Sequence, residues 1–203
     1  MNAKSILTVV AVFAVLVLGV FYRYYNTGVD SRGATRLMQA IEKNDDLKTT
    51  VRLIEKSKDL NVQDKQGRTA LFYAAWHAQD PAVVKDLLVG GSNMHVADTA
   101  GQTAVMAAAQ FNPSAEVLAE FLKNGAHVNA TDNQGNTALI LAAQGNTAPV
   151  IKQLLRYRAD PEIKNNAGKT ASDVLAENPQ LTDQEKTDYR QAMLVLSILQ
   201  GSR

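Results

Sequence analysis

The chain has 203 residues, and its 21 Lys and Arg residues nearly balance its 20 Asp and Glu residues, for a formal net charge of +1. This balance gives no overall field that would hold nucleic acid, so composition argues against broad electrostatic binding of DNA or RNA. The chain contains no Cys, which excludes disulfides, thiolate metal sites and cysteine nucleophiles.

The first predicted element is an uncharged apolar run that extends from Ile6 to Tyr22. As a helix it would be about 26 Å long, close to the thickness of a bilayer core. We therefore expect residues 1–23 to be an N-terminal transmembrane or signal helix, and a buried core helix is the alternative. Bulky residues at the end of the run disfavour cleavage, so an uncleaved single-pass anchor is expected. A cleaved signal and a secreted or periplasmic protein remain the alternative.

The flanking charges give conflicting indications of orientation. Lys4 and the terminal amine favour a cytoplasmic N-terminus, whereas Arg23, Arg32 and Arg36 favour the opposite. We expect the rest of the chain to lie on the periplasmic or extracytoplasmic side. Residues 24–33 are polar with two Gly and are expected to be a flexible linker, so that the folded domain spans residues 34–203.

A short block recurs four times after this linker. It has the form Asp/Asn-x-x-Gly-x-Thr-Ala and begins at Asp64, Asp98, Asp132 and Asn165, so its glycines recur at a nearly constant interval. An Ala pair and then a second apolar run with helical spacing follow the first three blocks, which predicts a unit of turn, short helix, loop and longer helix. Asp80-Pro81 and Asn112-Pro113 are interpreted as starts of second helices, with a cap residue before Pro.

The block resembles the ankyrin repeat, whose motif is T-P-L-H-x-A. The matching segments begin at Thr69, Thr103, Thr137 and, more weakly, Thr170. The motif's Pro is Ala in every copy, and its His is Phe72, Met106 and Ile140. The resemblance covers about residues 34 to 200 and implies an all-α ankyrin-repeat solenoid of helix-turn-helix repeats with β-turn or hairpin loops.

Both ends of the repeat array are interpreted as caps. Residues 35–56 are expected to form a degenerate first repeat, because Thr35 lies one repeat period before Thr69. Thr182 to Glu185 predicts a capping box that opens a final helix from about Asp183 to Leu199. Arg158 replaces the Gly that ends the second helix in other repeats, and a left-handed residue with a Cβ there would cost roughly 1 to 2 kcal/mol.

The resemblance implies that partner proteins bind the hairpin tips and the inner helices on the concave face. The corresponding tip residues are Lys65, Gln66, Arg68, Thr99, Ala100, Gln102, Asn133, Gln134 and Asn136. The corresponding inner-helix residues are Trp76, His77, Gln110, Phe111, Gln144 and Gly145. Trp76 and Phe111 occupy nearly equivalent positions of adjacent repeats and are expected either to form one aromatic patch or to pack under the inter-helix loops.

No motif indicates an enzyme, a cofactor site or a small-molecule substrate. His77, His95 and His127 share no ligand spacing, so no metal site is expected. The leading hypothesis is a membrane-tethered adaptor or inhibitor that binds another protein. The alternative is a structural or assembly component of a membrane complex that uses its N-terminal and C-terminal helices.

Overall fold

The computed structural model describes residues 28–201, and side chains as far as residue 198. The predicted anchor, residues 1–23, lies outside the described residues. The described part holds ten helices. They are α1 (Arg36–Glu42), α2 (Leu47–Lys56), α3 (Ala70–His77), α4 (Pro81–Val89), α5 (Ala104–Phe111), α6 (Ala115–Lys123), α7 (Ala138–Gly145), α8 (Ala148–Arg156), α9 (Ala171–Leu175) and α10 (Asp183–Gly201).

The helices form five antiparallel pairs, here called repeats I to V, from α1–α2 to α9–α10. The odd-numbered helices pack side by side as one layer, here called the inner helices, and α2, α4, α6 and α8 form a second layer, here called the outer helices. The all-α solenoid predicted from the repeat pattern is confirmed for the described residues. Within these residues no helix combines the length and the apolar character needed to cross a membrane.

A threonine begins every inner helix. Its extended backbone places it at the N-cap, and its hydroxyl accepts the N–H of the third helical residue in four of the five repeats. These four threonines are Thr35, Thr69, Thr137 and Thr170. The recurrent Thr therefore fixes where each inner helix starts.

The core lies between the two layers. The Ala pairs 74–75, 108–109 and 142–143 are fully buried, so inner helices approach closely. Phe121, Leu139 and Ile151 fill the space toward the outer helices and are fully buried as well. Burial of such side chains stabilises the stack by roughly 1.5 to 3 kcal/mol each. Phe72 and Tyr73 belong to this core, as expected.

A β-turn hairpin precedes each inner helix, and adjacent hairpins hydrogen-bond through their main chains. The N–H of Thr99 donates to the carbonyl of Gln66 at 2.9 Å, and the N–H of Asn133 donates to the carbonyl of Ala100 at 3.0 Å. The leading Asp, or Asn165 in repeat V, accepts two backbone N–H groups of its own turn. The hairpins are thus stacked in fixed register.

The structure corrects the start of the repeat domain. The sequence predicts a flexible linker up to residue 33, but residues 29–33 form the hairpin of repeat I. Asp30 accepts the N–H groups of Arg32 and Ala34 at 2.9 Å each, and the carbonyl of Arg32 accepts from the N–H of Lys65 at 2.9 Å. The folded domain therefore begins at or before residue 29, and not at residue 34.

Helix α6 begins later than expected. Its N-cap is Ser114, which accepts the N–H of Val117 at 3.2 Å, so the interpretation of Asn112-Pro113 as a helix start is wrong. Asn112 instead ends α5 and is buried. The Asp80 cap with Pro81 at the first turn of α4 is confirmed, as is the Thr182–Glu185 capping box before α10.

Arg158 adopts the left-handed backbone predicted for it. Its φ is 60°, in the position where the earlier repeats have Gly91 with φ 94° and Gly125 with φ 85°. An L-residue in this region is strained by roughly 1 to 2 kcal/mol. The end of α8 therefore carries strain that the ends of α4 and α6 do not.

Candidate protein-binding face

Three aromatic rings meet where α3 and α5 end. The Trp76 and Phe111 rings stack with centroids 4.3 Å apart and planes at 17°, and the Trp76 and His77 rings stack at 5.0 Å and 10°. The sequence predicted that Trp76 and Phe111 would lie on adjacent repeats, and the structure brings them into contact. We call Trp76, His77 and Phe111 the aromatic stack.

The two members of the central contact differ in exposure. Trp76 is partly buried and packs against the core, whereas Phe111 is 40% exposed. Trp76 therefore contributes both to the core and to the contact with Phe111. Phe111 offers an exposed aromatic surface that the stack holds in one place, so a partner would not have to order a mobile side chain.

His77 is partly buried beside Trp76. Burial lowers the pKa of its imidazole, the Glu42 carboxylate partly opposes this effect, and Arg68 and Arg32 add to the lowering. The lowered pKa favours the uncharged form of the imidazole that stacks on Trp76. The exposed apolar part of the stack is Phe111.

Two arginines at the repeat I and II end of this face are paired within the chain. Arg32 bonds Asp30 at 2.9 Å and Glu42 at 2.7 Å. Arg68 bonds Asp64 at 2.8 Å and lies 5.1 Å from the ring centroid of Tyr73. Burial raises the pKa of Asp64, but hydrogen bonds from the backbone and side chain of Arg68 and from the Tyr73 hydroxyl outweigh it, so the pKa lies below 3.8. Arg68, predicted as a contact residue, has a structural role.

The other predicted tip residues fall into two groups. Lys65, Gln66, Asn133 and Gln134 are exposed, as are Thr99 and Ala100. Asn136 is only 4% exposed, because its amide donates to Asp132 and Gln134 at 3.2 Å each and accepts from Asn165 at 2.9 Å. The structure therefore corrects the prediction that Asn136 is a surface contact.

Amide side chains continue the face beyond the aromatic stack. Gln102 donates to the side-chain oxygen of Gln110 at 3.1 Å, which joins the hairpin tip to the inner helix of repeat III. Gln144 and Gly145 are exposed at the end of α7. The predicted inner-helix residues of repeats II to IV therefore lie along one line, and each is at least partly accessible.

Sequence reasoning missed a ladder of buried asparagines beneath this line. Asn112 donates to the carbonyls of Ala75 and Ala78 at 3.1 and 2.9 Å. Each of the next two asparagines also donates to two carbonyls at the end of the inner helix of the preceding repeat. Asn146 donates to the carbonyls of Ala109 and Asn112, and Asn178 donates to those of Ala142 and Asn146. The signal in the sequence was an Asn that recurs shortly after each of α5, α7 and α9.

The ladder is missing between repeats I and II. Ala78 stands there in place of Asn, and this junction contains a cavity of about 220 Å³ lined by Ile41, Asn44, Ala78 and Val83 among others. Adjacent repeats II to V are thus joined by buried hydrogen bonds that repeats I and II lack. The aromatic stack lies on the first junction that has them.

The part of the chain that the structure describes contains no metal-binding cluster. There, no group of three or more His, Cys, Asp or Glu side chains is arranged to hold a metal. His95 and His127 form a separate exposed pair with ring centroids 4.2 Å apart, in the loops that follow α4 and α6.

Comparison with known families agrees with this architecture. Residues 75–165 match the family model described as ankyrin repeats in three copies, and residues 37–88 match a second model described as ankyrin repeats in many copies. No curated protein matches the chain. The two matches together span well over half of the chain and coincide with repeats I to IV of the structure. The chain therefore belongs to the ankyrin-repeat family.

Proposed function

We propose that this ankyrin-repeat protein is a membrane-tethered adaptor or inhibitor that binds a partner protein through the inner face and the hairpin tips of its repeats. Ankyrin repeats generally mediate protein–protein interaction, and stacked repeats offer an extended surface instead of an enclosed cavity. The observation that carries the site assignment is Phe111, an aromatic ring 40% exposed and held against Trp76.

The aromatic stack has the properties of an interface hot spot. Truncation of a central aromatic residue commonly costs about 2 kcal/mol or more of binding free energy, which is roughly a thirtyfold loss of affinity. Because Phe111 is fixed by its neighbour, little side-chain entropy is lost when a partner covers it. Polar tips such as Gln66 and Asn133 would form the surrounding rim.

The test is affinity purification of the full chain from membranes of its native cells. A protein that co-purifies with the wild type should be lost from the double variant Phe111→Ala, Gln144→Ala. The matched control is His95→Ala, His127→Ala, which also removes two exposed side chains, whose ring centroids lie 4.2 Å apart, but in the loops that follow α4 and α6. Equal recovery with both double variants would refute the site.

The tether is proposed from residues 6–22, which carry no charge. A chain without residues 1–27 should move from the membrane fraction to the soluble fraction, while the intact chain resists alkaline extraction. Added protease should digest the repeats in spheroplasts if they lie outside the cytoplasm. Protection of the repeats until the membrane is lysed would reverse the proposed orientation.

A second function is favoured by one feature of α10. Leu194 and Val195 are 61% and 55% exposed on this last helix, although a terminal cap should present a polar outer face. An assembly component of a membrane complex could use this surface together with the N-terminal segment. Crosslinks confined to residues 6–22 and 189–199, with none at the aromatic stack, would favour this function over the adaptor.

A further inference from the structure

The first junction of the array differs from the later ones at one position. Asn112, Asn146 and Asn178 each place an amide at the end of the preceding inner helix, whereas Ala78 has the equivalent position in repeat II. The backbone of Asn44, at the end of α1, is left-handed with φ 51°, whereas the backbones of Ala78 and Asn112 are extended. Ala78 lines the cavity of about 220 Å³ between repeats I and II, so the position that an amide fills at the later junctions borders open space here.

The walls of this cavity combine apolar side chains with acidic ones. The apolar part consists of Ile41, Leu47, Ala78 and Val83, and the other lining residues are Asn44, Asp45, Thr50, Gln79 and Asp80. Asp80 uses one carboxylate oxygen to accept the N–H of Ala82 at 2.8 Å. Neither Asp45 nor Asp80 forms an ion pair with another described residue. The cavity therefore offers carboxylate oxygens next to an apolar surface.

The lining lacks a positive charge to balance these carboxylates. In the described part of the chain, no Lys, Arg or His is among the residues that line the cavity. Lys43 and Lys48 lie close to lining residues in the sequence, but both are exposed and neither lines the cavity. Carboxylates form their strongest hydrogen bonds with cationic donors, and apolar walls favour a hydrocarbon chain. Lys and Arg side chains have both parts, an aliphatic stem and a charged head.

The size of the cavity suits one side chain. Its volume of about 220 Å³ is several times that of one water molecule, roughly 30 Å³. It is smaller than a typical small-molecule site, which has roughly 300 to 1,000 Å³. Ala78 directly follows His77 of the aromatic stack in the chain, so one partner protein can contact both the stack and the cavity.

We propose that this cavity receives one arginine or lysine side chain of the partner protein, with its stem against the apolar wall and its charged head beside Asp45 and Asp80. This proposal rests on the proposed function and specifies the chemistry of the partner. The partner would present a basic residue to the cavity and an apolar residue to Phe111.

The experiment uses the full chain in detergent micelles as bait for a phage-displayed library of short unstructured peptides. Affinities are then measured with synthetic peptides from the selected pool, which should share one Arg or Lys. Replacement of that residue by norleucine keeps an aliphatic stem and removes the charge, and it should weaken binding by at least about tenfold. The affinity of the unmodified peptide should fall as the salt concentration rises, because the ion pair forms near the surface.

A double variant of the chain tests the carboxylates. Asp45→Asn with Asp80→Asn removes both charges and keeps the shape of the side chains, and Asn is as good an N-cap for α4 as Asp. Binding of the basic peptide should weaken by at least about tenfold. The matched control is Glu55→Gln with Glu177→Gln, which removes two negative charges at exposed positions outside the cavity. It should change the affinity by less than about twofold.

A second variant, Ala78→Asn, tests the cavity itself. It introduces the residue that the next three repeats have at this position, and the new side chain would occupy part of the cavity. Binding of the basic peptide should weaken by at least about tenfold, while the unfolding temperature should not fall. Unchanged binding of the basic peptide by Ala78→Asn would overturn the proposal.

The variant Phe111→Ala separates this proposal from the wider proposed function. Selected peptides that depend on Phe111 but need no basic residue, or that bind the double Asp variant as tightly as the wild type, refute the cavity and leave the inner face as the binding surface. Binding that needs the two Asp residues but not Phe111 supports the cavity and refutes the aromatic stack as the hot spot. Insensitivity to all these variants refutes both, and an empty peptide selection overturns the cavity proposal.

Discussion

Asn146 connects repeats III and IV, and its removal should weaken the whole array. The residue is 5% exposed, and its amide donates to the carbonyls of Ala109 and Asn112 at 2.8 and 3.0 Å. The Ala109 carbonyl depends on this bond, because the residue four positions later is Pro113, which has no N–H. Asn146→Ala would leave two carbonyls at a buried position without a donor.

The magnitude follows from these contacts. Each lost bond contributes about 1 kcal/mol net, and a buried acceptor left unpaired costs about 1 to 3 kcal/mol. We expect a loss of about 2 to 4 kcal/mol in the free energy of unfolding, and a fall in Tm of about 5 to 15 °C for a domain of this size. Urea unfolding of the full chain, followed by far-UV circular dichroism, measures the difference.

Asn124→Ala is the matched control. Its amide also donates to a backbone carbonyl, that of Glu120 at 2.7 Å, but at an exposed helix end where water can replace it. We expect a loss below about 0.5 kcal/mol. If Asn146→Ala and Asn124→Ala destabilised the chain equally, the buried ladder would not be what joins the repeats.

Three further predictions concern the hairpins and caps. Gly101→Ala should destabilise the chain by about 2 kcal/mol or more, because the new Cβ would lie 2.8 Å from the backbone of the next hairpin. Gly168→Ala, at a similar φ but in open space, should cost only the left-handed strain of about 1 to 2 kcal/mol, and thermal unfolding compares the two variants. Arg158→Gly should stabilise by about 0.5 to 1 kcal/mol by releasing strain at φ 60°, and an unchanged or lower Tm would contradict that strain. Asp64→Asn should lose about 1 to 2 kcal/mol of unfolding free energy at pH 7, since the charge-assisted hydrogen bonds disappear. The pKa of Asp64 in the folded chain lies below its ordinary value of 3.8, so this contribution is present above 3.8 and is lost as the pH falls through the folded pKa. Urea unfolding at several pH values should therefore show the stabilities of the wild type and the variant converging in acid.

Local patterns made most of the fold predictable from sequence. The Thr at the start of each inner helix and the left-handed Gly in each hairpin determine the backbone of only the few residues around them. Their recurrence in the sequence was therefore enough to predict the helix starts and the turns. The same pattern also marks the hairpin of repeat I, since Gly33 lies one repeat period before Gly67. The sequence nevertheless favours a linker there, because a short polar stretch after an apolar run is typical of one.

Long-range contacts were not predictable in the same way. Asn112 before Pro113 has the local signature of a helix start, and only the neighbouring repeat reveals that its amide is used across the junction. Asn136 resembles a surface tip residue but is buried by the following hairpin. The sequence placed Trp76 and Phe111 on adjacent repeats, but only the structure shows that their rings stack.

The most direct test of the account is site-specific photo-crosslinking in intact cells. A photoreactive phenylalanine analogue at position 111 should crosslink the full chain to one partner protein, and the same analogue at position 95 should not. Crosslinking at position 95 or on α10 alone, with none at position 111, would contradict the claim that the chain binds its partner through the aromatic stack.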